Sequence, residues 1–171
     1  MIEISKDTKL LSQNTVDWDF SNPPFNLEEF AVELVSLMNE KKGLGIAANQ
    51  VGHSYRIFAM TGSPENYVFV NPKIVNMEGL TSEAMEGCLS FPGLGFKIER
   101  YNELRLRFMA PDGQTYTKKF KGMSARIIQH EMDHLNGIPF WSSLSKLKFD
   151  IGLKKAYKRG WKDYCHLTYN G

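Results

Sequence analysis

The first regular pattern along the chain is a helical one. Asn26 and Glu29 have the spacing of a capping pair, and Lys41 and Lys42 followed by Gly43 suit a helix end. Between these signals, apolar residues recur at three- and four-residue steps, on Leu27, Phe30, Ala31, Leu34, Val35 and Met38. The pattern therefore predicts an amphipathic helix that begins after Asn26 and ends before Gly43.

The middle of the chain changes to the two-residue period of β-strands. Short runs rich in β-branched and aromatic residues cover 55–60 and 67–70, and apolar residues alternate with arginines at 104–108. The Ala-Pro-Asp-Gly sequence at 110–113 is typical of a tight turn, and a further run follows at 114–120. These patterns predict a hairpin within an antiparallel or mixed sheet.

A second helical pattern spans about residues 124–136, and Gly137 is placed as its stop. Residues 1–25 are polar and close with Pro23 and Pro24, so we expect an irregular surface segment there. Without any visible repeat or domain boundary, residues 1–171 are expected to form a single domain. The predicted fold class is α+β, with antiparallel or mixed sheets packed around one central helix, the helix at 124–136.

Composition and charge narrow the class of protein. The chain is 42% hydrophobic and 23% charged, as folded globular domains are, and its net charge of +2 gives no strong attraction to nucleic acid. The segment 141–171 is more basic, with seven Lys or Arg against two acids. We interpret it either as a solvated helix face or as a patch for an anionic partner such as RNA.

Cysteine usage and hydropathy bear on the compartment. Cys88 and Cys165 lie far apart in the sequence, and neither a secretory nor a transit peptide is recognisable at the start. No apolar run approaches the roughly 18 residues of a membrane span. We therefore expect reduced thiols, a cytoplasmic location and no membrane partner.

The helix at 124–136 carries the strongest chemical signal, the sequence His-Glu-Met-Asp-His. Residues i and i+4 of a helix share a face, so His130 and His134 can bind one metal ion with Glu131 beside it. This pattern is typical of metal-dependent hydrolases, in which the glutamate is the general acid and base. The alternative is a surface or core helix with two idle histidines.

A catalytic site of this type needs a third protein ligand. No glutamate follows Glu131, and Phe140 stands where the metzincin pattern has its third histidine. Cys88 is favoured because a thiolate is a soft, tight donor and Gly87 beside it allows close approach of a backbone. The other donors that stay open are Asp150, Asp163, Cys165 and His166, and a metallopeptidase would use one of the two aspartates.

The small-residue segment from Gly43 to Gln50 is a third candidate. It follows a helix and not a strand, which argues against a dinucleotide-binding loop. The other interpretation is a backbone surface for a peptide-like ligand, on which Gln50 offers an N–H to a developing oxyanion.

Taken together, the three segments resemble the peptide deformylase family. That family is marked by a GxGxAAxQ loop, an EGCLS segment and a QHExDHLxG helix, and here they lie at 43–50, 86–90 and 129–137. The resemblance is strong over roughly 43–140 and poor in the first 25 residues and after Lys148, where no long helix can be aligned. It implies the family's fold and the removal of the formyl group from the N-formylmethionine of newly made polypeptides.

The resemblance also implies roles for single residues. The metal ligands would be Cys88, His130 and His134, holding ferrous iron natively, with zinc, nickel or cobalt as substitutes. Glu131 would be the acid and base, while Gln50 and the Leu89 backbone N–H would bind the oxyanion. The peptide would lie along Leu44, Gly45 and Gly87, with its methionine side chain beside Met123 and Ile127.

Two supporting ion pairs follow from the same resemblance, and a contact with the ribosome is expected because the substrate emerges there. Asp133 would meet Arg100, unless it is a simple exposed helix charge, and Arg126 would meet Glu86. The basic segment 141–171 would contact the ribosome, and the protein would act as a monomer on formylmethionyl nascent chains. The competing interpretations are the metallopeptidase and a binding module, either a ribosome-associated factor that uses the basic segment or a degenerate relative with a merely structural metal.

Overall fold

The computed structural model describes residues 2–164, 167 and 169 and shows an α+β fold of helices and one antiparallel sheet. Its elements, in chain order, are helix α1 (Thr8–Leu11), helix α2 (Leu27–Glu40), strand β1 (Gly45–Ala47), a 3₁₀ helix (Ala48–Val51), strands β2 (Ile57–Met60), β3 (Tyr67–Cys88), β4 (Phe91–Met109) and β5 (Thr115–Lys121), and helices α3 (Gly122–Leu135) and α4 (Lys146–Lys158). None of the helices in the described ranges is both long and apolar enough to cross a membrane.

The five named strands pair in chain order, each antiparallel to the next. They form one antiparallel sheet, where antiparallel or mixed pairing was expected. Most of it is a long hairpin of β3 and β4, whose irregular register includes shifts between Val70 and Lys73 and between Glu78 and Thr81. The predicted runs at 67–70 and 104–108 are therefore only the regular ends of much longer strands. The predicted turn at 110–113 is present between β4 and β5.

Helix α2 confirms the capping prediction. The Asn26 side chain accepts a hydrogen bond from the Glu29 backbone N–H at 3.2 Å and donates one to the Glu29 carboxylate at 3.0 Å. The helix ends one residue earlier than the glycine signal suggests, because Lys42 takes the left-handed conformation with φ 55°. The chain is thereby turned into Gly43 and the loop that leads to β1.

Helix α3 is the most buried helix, with ten of its fourteen residues inside. It packs against β1, β2, β4 and β5, and Gly137 follows its end with φ 65°. Side chains from β2 to β5 and from α3 share one apolar cluster, which includes Phe58, Phe69, Leu106, Ala125 and Ile128. That α3 is the centre of the fold, and that the chain is one domain, stay predictions.

The two ends of the chain differ from what the sequence indicated. Residues 1–25 contain the short helix α1 and contribute Leu11 and Trp18, both buried, to the core. Thr15 donates two hydrogen bonds to the carbonyl of Leu135 at the end of α3, from its N–H at 2.9 Å and its hydroxyl at 2.8 Å. In the segment 141–171, where no long helix could be aligned with the family, α4 is a thirteen-residue helix that buries Phe149 and Ala156, so it is more than a solvated helix face.

Candidate metal centre

Three potential metal ligands converge where the end of β3 meets α3. One ligand atom each of Cys88, His130 and His134 lies within 4.8 Å of the other two, and the Cys88 Sγ is 3.2 Å from His134 Nε2. The two histidines share a helix face because they are four residues apart. A thiolate and two imidazoles are a donor set that suits ferrous iron, zinc, nickel or cobalt. The residues present therefore fit a divalent transition metal.

The β3–β4 hairpin positions the cysteine. Its strands stay paired as far as Cys88 and Phe91, and the register shifts between Gly87 and Cys88, so the thiol lies at the start of a tight two-residue turn. The start of β4, just after this turn, is held by a hydrogen bond from the C-terminal part of the chain. The Tyr164 hydroxyl donates to the Pro92 carbonyl at 2.6 Å.

Both the oxygen and the NH₂ group of the Gln50 side-chain amide form hydrogen bonds close to Cys88. The Ala47 backbone N–H donates to its Oε1 at 2.9 Å, which leaves the NH₂ group pointing to the Ser90 hydroxyl at 3.2 Å and to the Cys88 sulfur at 3.4 Å. The amide orientation is thus set by a backbone donor. Ser90 was not singled out from the sequence, although it ends the EGCLS segment.

Glu131 is 3% exposed and lies next to the three donors. Burial raises the pKa of its carboxyl to about 7, against an opposing effect of His130. Its Oε2 has no hydrogen-bond partner among the described residues. A Cβ at Gly45 would overlap the other oxygen, Oε1, and the Ile127 side chain. Glycine at 45 is therefore what lets the β1 backbone pass beside this carboxylate.

A buried ionic network surrounds Glu86. Arg100 donates to both of its carboxylate oxygens at 3.1 and 3.0 Å, Arg126 donates at 2.7 Å, and His130 Nδ1 lies 3.0 Å away. Burial alone would raise the pKa of Glu86, but the hydrogen bonds from His130 and Arg100 and their charges lower it to about 2. Because Glu86 engages Nδ1, the opposite nitrogen of the His130 ring is free for a metal.

Both ion pairs expected from the sequence are present. Arg126 meets Glu86, and Arg100 Nη1 donates to Asp133 at 2.6 Å, so Asp133 is not a simple exposed helix charge. The contacts of Glu86 with His130 and Arg100 were missed. A histidine that ligates a metal usually gives its second nitrogen to a carboxylate, which is the signal that could have suggested the His130 contact.

The surroundings act on the two histidines in opposite directions. Burial lowers the pKa of His134 well below its usual range. Burial acts the same way on His130, but hydrogen bonds to Cys88 and Glu86 outweigh it and raise the pKa of His130.

A cleft of about 380 Å³ opens onto the site. Every substrate-binding residue expected from the sequence lines it, namely Leu44, Gly45, Gly87, Met123 and Ile127, together with Gln50, Cys88, Leu89, His130 and Glu131. The lining also includes residues that were not anticipated, among them Met85, Phe91, Leu94 and Arg126. Its apolar walls and single polar end suit a ligand with an apolar side chain and one reactive polar group.

The alternative third ligands do not join the site within the described residues. Asp150 lies on α4 and pairs with Lys146 at 2.8 Å, and the cluster that could hold a metal contains only Cys88 and the two histidines. Cys165 and His166 lie outside the described residues. A three-donor centre with a buried carboxylate at the end of an apolar cleft defines a metal-dependent hydrolase.

Comparison with known proteins assigns the particular family. Residues 2–150 match the family model of polypeptide deformylases. The peptide deformylase of Wolbachia pipientis wMel is 35% identical over 170 residues, 92% of this chain and 93% of the relative, and that of Brucella suis is 37% identical over 137 residues, 77% of this chain and 78% of the relative. The chain belongs to the polypeptide deformylase family, metal-dependent hydrolases that remove the N-formyl group from nascent peptides.

Solved structures agree with this assignment. A Plasmodium falciparum peptide deformylase superposes with a TM-score of 0.82 at 29% identity, over 98% of this chain and 100% of that one. The Synechococcus elongatus enzyme, solved with actinonin, gives 0.83 at 28% identity over 91% of this chain and 86% of that one. The fold and the antiparallel sheet are therefore those of the family.

Proposed function

We propose that Cys88, His130 and His134 hold one divalent metal ion, and that Glu131 moves the proton in hydrolysis of the N-formyl group of nascent polypeptides. The observation that carries this proposal is the buried Glu131 carboxyl, whose Oε2 has no partner in the described part of the chain, beside three metal donors at the end of a cleft. A carboxyl so placed is available to a water or a substrate atom.

Ferrous iron is the metal we propose for the cell, with zinc, nickel or cobalt as substitutes. A divalent ion at this site supplies Lewis acidity, which polarises a carbonyl and makes a water more acidic. The same donor set binds all four metals, so availability in the cell decides between them.

Glu131 acts as a general base and then as a general acid. Its carboxylate accepts one proton from the attacking water and delivers that proton to the leaving nitrogen as the bond between nitrogen and the formyl carbon breaks. The products are formate and a peptide with a free amino terminus. Burial raises the pKa of this carboxyl to about 7, which suits both directions of transfer near neutral pH.

Gln50 and the backbone N–H of Leu89 stabilise the negative oxygen of the tetrahedral intermediate. The Gln50 amide is oriented in advance because the Ala47 N–H holds its oxygen at 2.9 Å. A donor that is fixed before the reaction needs no reorganisation when charge develops, and removal of one such donor costs about 10²–10³ in kcat.

The peptide lies extended along the backbone of Leu44, Gly45 and Gly87, and its methionine side chain enters the apolar part of the cleft beside Met123 and Ile127. Support comes from a solved relative: the Acinetobacter baumannii peptide deformylase, 30% identical with a TM-score of 0.78, was crystallised with Met-Ala-Ser bound. The exposed apolar side chains of Leu44 and Met123 at the cleft fit an apolar ligand.

The decisive experiment is formate release from formyl-Met-Ala-Ser by protein loaded anaerobically with ferrous iron, alongside Glu131→Ala. We expect rapid release by the wild type and a loss of about 10²–10⁴-fold in the variant, the usual contribution of a general base. Metal content is measured for both proteins, and the variant is expected to keep its metal. Absence of formate from folded, metal-loaded wild type would refute the function, and peptide-bond cleavage would then favour the metallopeptidase.

The cellular setting is a further part of the proposal. We propose a cytoplasmic monomer that contacts the ribosome through the basic segment 141–171, because its substrates emerge there. Lys154, Lys158 and Lys162 have no ion pair among the described residues, so they can meet phosphate. Salt-sensitive co-sedimentation with ribosomes, weakened in Lys154→Glu/Lys158→Glu, is expected, and light scattering of the pure protein should give the mass of one chain.

A further inference from the structure

A groove leads from the active-site cleft to helix α4. Its far wall is the α4 face that carries Ile151, Gly152, Lys155, Ala156 and Arg159. We call this space the α4 groove. It shares five lining residues with the cleft, Met85, Glu86, Gly87, Gly93 and Leu94, so the two spaces lie along the same stretch of the β3–β4 hairpin.

Close packing fixes α4 beside the hairpin. A Cβ at Gly152 would overlap the ring of Phe96 on β4, and the Phe96 and Phe149 rings stack with centroids 5.7 Å apart. Lys155 and Arg159 lie three and seven residues beyond Gly152, on the same helix face. The packing of Gly152 against Phe96 positions α4, and the helix in turn places Lys155 and Arg159 along the groove.

The groove has an excess of positive charge. Lys97, Lys155 and Arg159 line it and are exposed, and none of them forms an ion pair with any residue that the structure describes. The three cations are therefore free for an anionic ligand.

The acids near the groove are already engaged. Glu83 pairs with Lys148 at 3.1 Å, and Glu86 is buried among two arginines and His130. Glu99, which follows Lys97 by two residues, accepts a hydrogen bond from the Thr81 hydroxyl and does not line the groove. The acidic residues near the groove therefore do not neutralise the charges of Lys97, Lys155 and Arg159.

The position of the groove suggests its ligand. This step rests on the proposed function, in which the formyl end of the substrate lies at Glu131 and the peptide backbone passes Gly87. The residues that follow the N-terminal methionine must then leave the cleft. Gly87 lines both the cleft and the groove, so a chain that continues along the hairpin from Gly87 has the groove beside its path.

We propose that the α4 groove binds the part of the nascent chain that follows the N-terminal methionine and favours acidic side chains there, through Lys97, Lys155 and Arg159. The match to the family model ends at residue 150, and the α4 wall lies beyond it. The three cations are specificity-determining residues and take no part in bond breaking.

The test uses the iron-loaded full chain and two hexapeptides, formyl-Met-Ala-Ser-Ala-Glu-Glu and formyl-Met-Ala-Ser-Ala-Lys-Lys. The readout is the ratio of their kcat/KM values, which cancels any loss of active protein within a variant. We expect the wild type to favour the acidic peptide about three- to tenfold at low salt, as a few solvent-exposed charge pairs can do, and to lose most of this at 0.5 M NaCl. The difference should lie in KM, since the groove cations do not touch the formyl group.

Lys155→Glu/Arg159→Glu should invert the preference. Lys73→Glu/Arg107→Glu is the matched control, because it changes the net charge equally on exposed β3 and β4 positions that line neither the cleft nor the groove. This control should keep the wild-type ratio. A ratio near one in active wild type, or inversion in both variants, would overturn the groove proposal alone.

Two further outcomes separate this proposal from its alternatives. Absence of formate from both hexapeptides and from formyl-Met-Ala-Ser would refute the proposed function itself. If Lys155→Glu/Arg159→Glu keeps the wild-type peptide ratio but loses salt-sensitive binding to a fluorescent single-stranded RNA, the groove cations serve nucleic acid and the peptide proposal is overturned.

Discussion

Glu83 and Glu86 lie on the same strand, β3, but their charges are satisfied in different ways. Glu86 has a side chain 6% exposed and is held by Arg100, Arg126 and His130. Glu83 has a side chain 48% exposed and, among the residues that the structure describes, pairs only with Lys148, itself 59% exposed, across the α4 groove. The buried network depends on every partner, since an unpaired charge inside a protein is costly, whereas the groove acts through several weak, screened contacts.

The largest effect is expected on metal content and activity when a proposed metal ligand is removed. Cys88→Ala leaves two imidazoles as ligands, so the metal content after dialysis should fall to background, and formate release should fall on the order of 10³-fold, because the metal supplies several kcal/mol to the transition state. Metal analysis by mass spectrometry and a formate assay measure both. Asp150→Asn is the matched control and should keep metal and activity. Retention of metal in Cys88→Ala together with its loss in Asp150→Asn would show that the ligand set is wrong.

The second effect is expected on the free energy of unfolding when Glu86, the carboxylate of the buried network, is replaced. Glu86→Gln keeps the size of the side chain but leaves the charges of Arg100 and Arg126 without their buried partner. We expect the free energy of unfolding to fall by about 3–5 kcal/mol, the usual cost of breaking a buried ion pair. Urea unfolding of wild type and variant at neutral pH measures it. A change below about 1 kcal/mol would mean that solvent or other groups already compensate the arginines.

The same carboxylate should make stability depend on acidity. The pKa of Glu86 is about 2 in the folded chain against 4.5 ordinarily, so its ionised form stabilises the fold fully above about pH 4.5 and this contribution is lost as the pH falls toward 2. The shift corresponds to about 3 kcal/mol. The stability difference between wild type and Glu86→Gln, both stripped of metal, should therefore shrink from pH 7 to pH 3. A difference independent of pH would contradict the assignment.

The smallest effect is expected on the groove side. Glu83→Gln removes an exposed partner of Lys148 and should change the free energy of unfolding by less than about 1 kcal/mol, as exposed pairs do, and less at high salt. Side-by-side urea titrations of Glu83→Gln and Glu86→Gln test the comparison directly. Equal losses in the two variants would show that exposure does not separate these carboxylates.

Local signals predicted the parts of the molecule that depend on neighbours in sequence. The Asn26 cap of α2, the turn at 110–113 and the shared helix face of His130 and His134 each need only a few adjacent residues, and the structure contains all three. The approach of Cys88 to these histidines was favoured by thiolate chemistry and by the family resemblance, while four other donors stayed open. The roles assigned to these side chains in the reaction stay predictions.

Features that depend on distant residues could not be predicted in the same way. The full lengths of β3 and β4 were missed because register shifts, such as that between Glu78 and Thr81, break the alternation of apolar and polar residues. The groove between α4 and the hairpin depends on Gly152 lying against Phe96, a contact between residues far apart in the chain. The burial of Trp18 depends on packing with Phe25 and Tyr55. Residues 1–25 have no helical or strand periodicity of apolar residues that would reveal this packing.

The hydrogen bonds between Thr15 and Leu135 bear on the order in which the chain folds during its synthesis. A ribosome synthesises the protein from its N-terminus, so Thr15 emerges long before the carbonyl that it will bind, 120 residues later. The last turn of α3 therefore cannot acquire this contact until most of the polypeptide has been translated. Contacts of such large sequence separation are slow to close, which makes the anchoring of this end of α3 a late event in the biosynthesis of the protein.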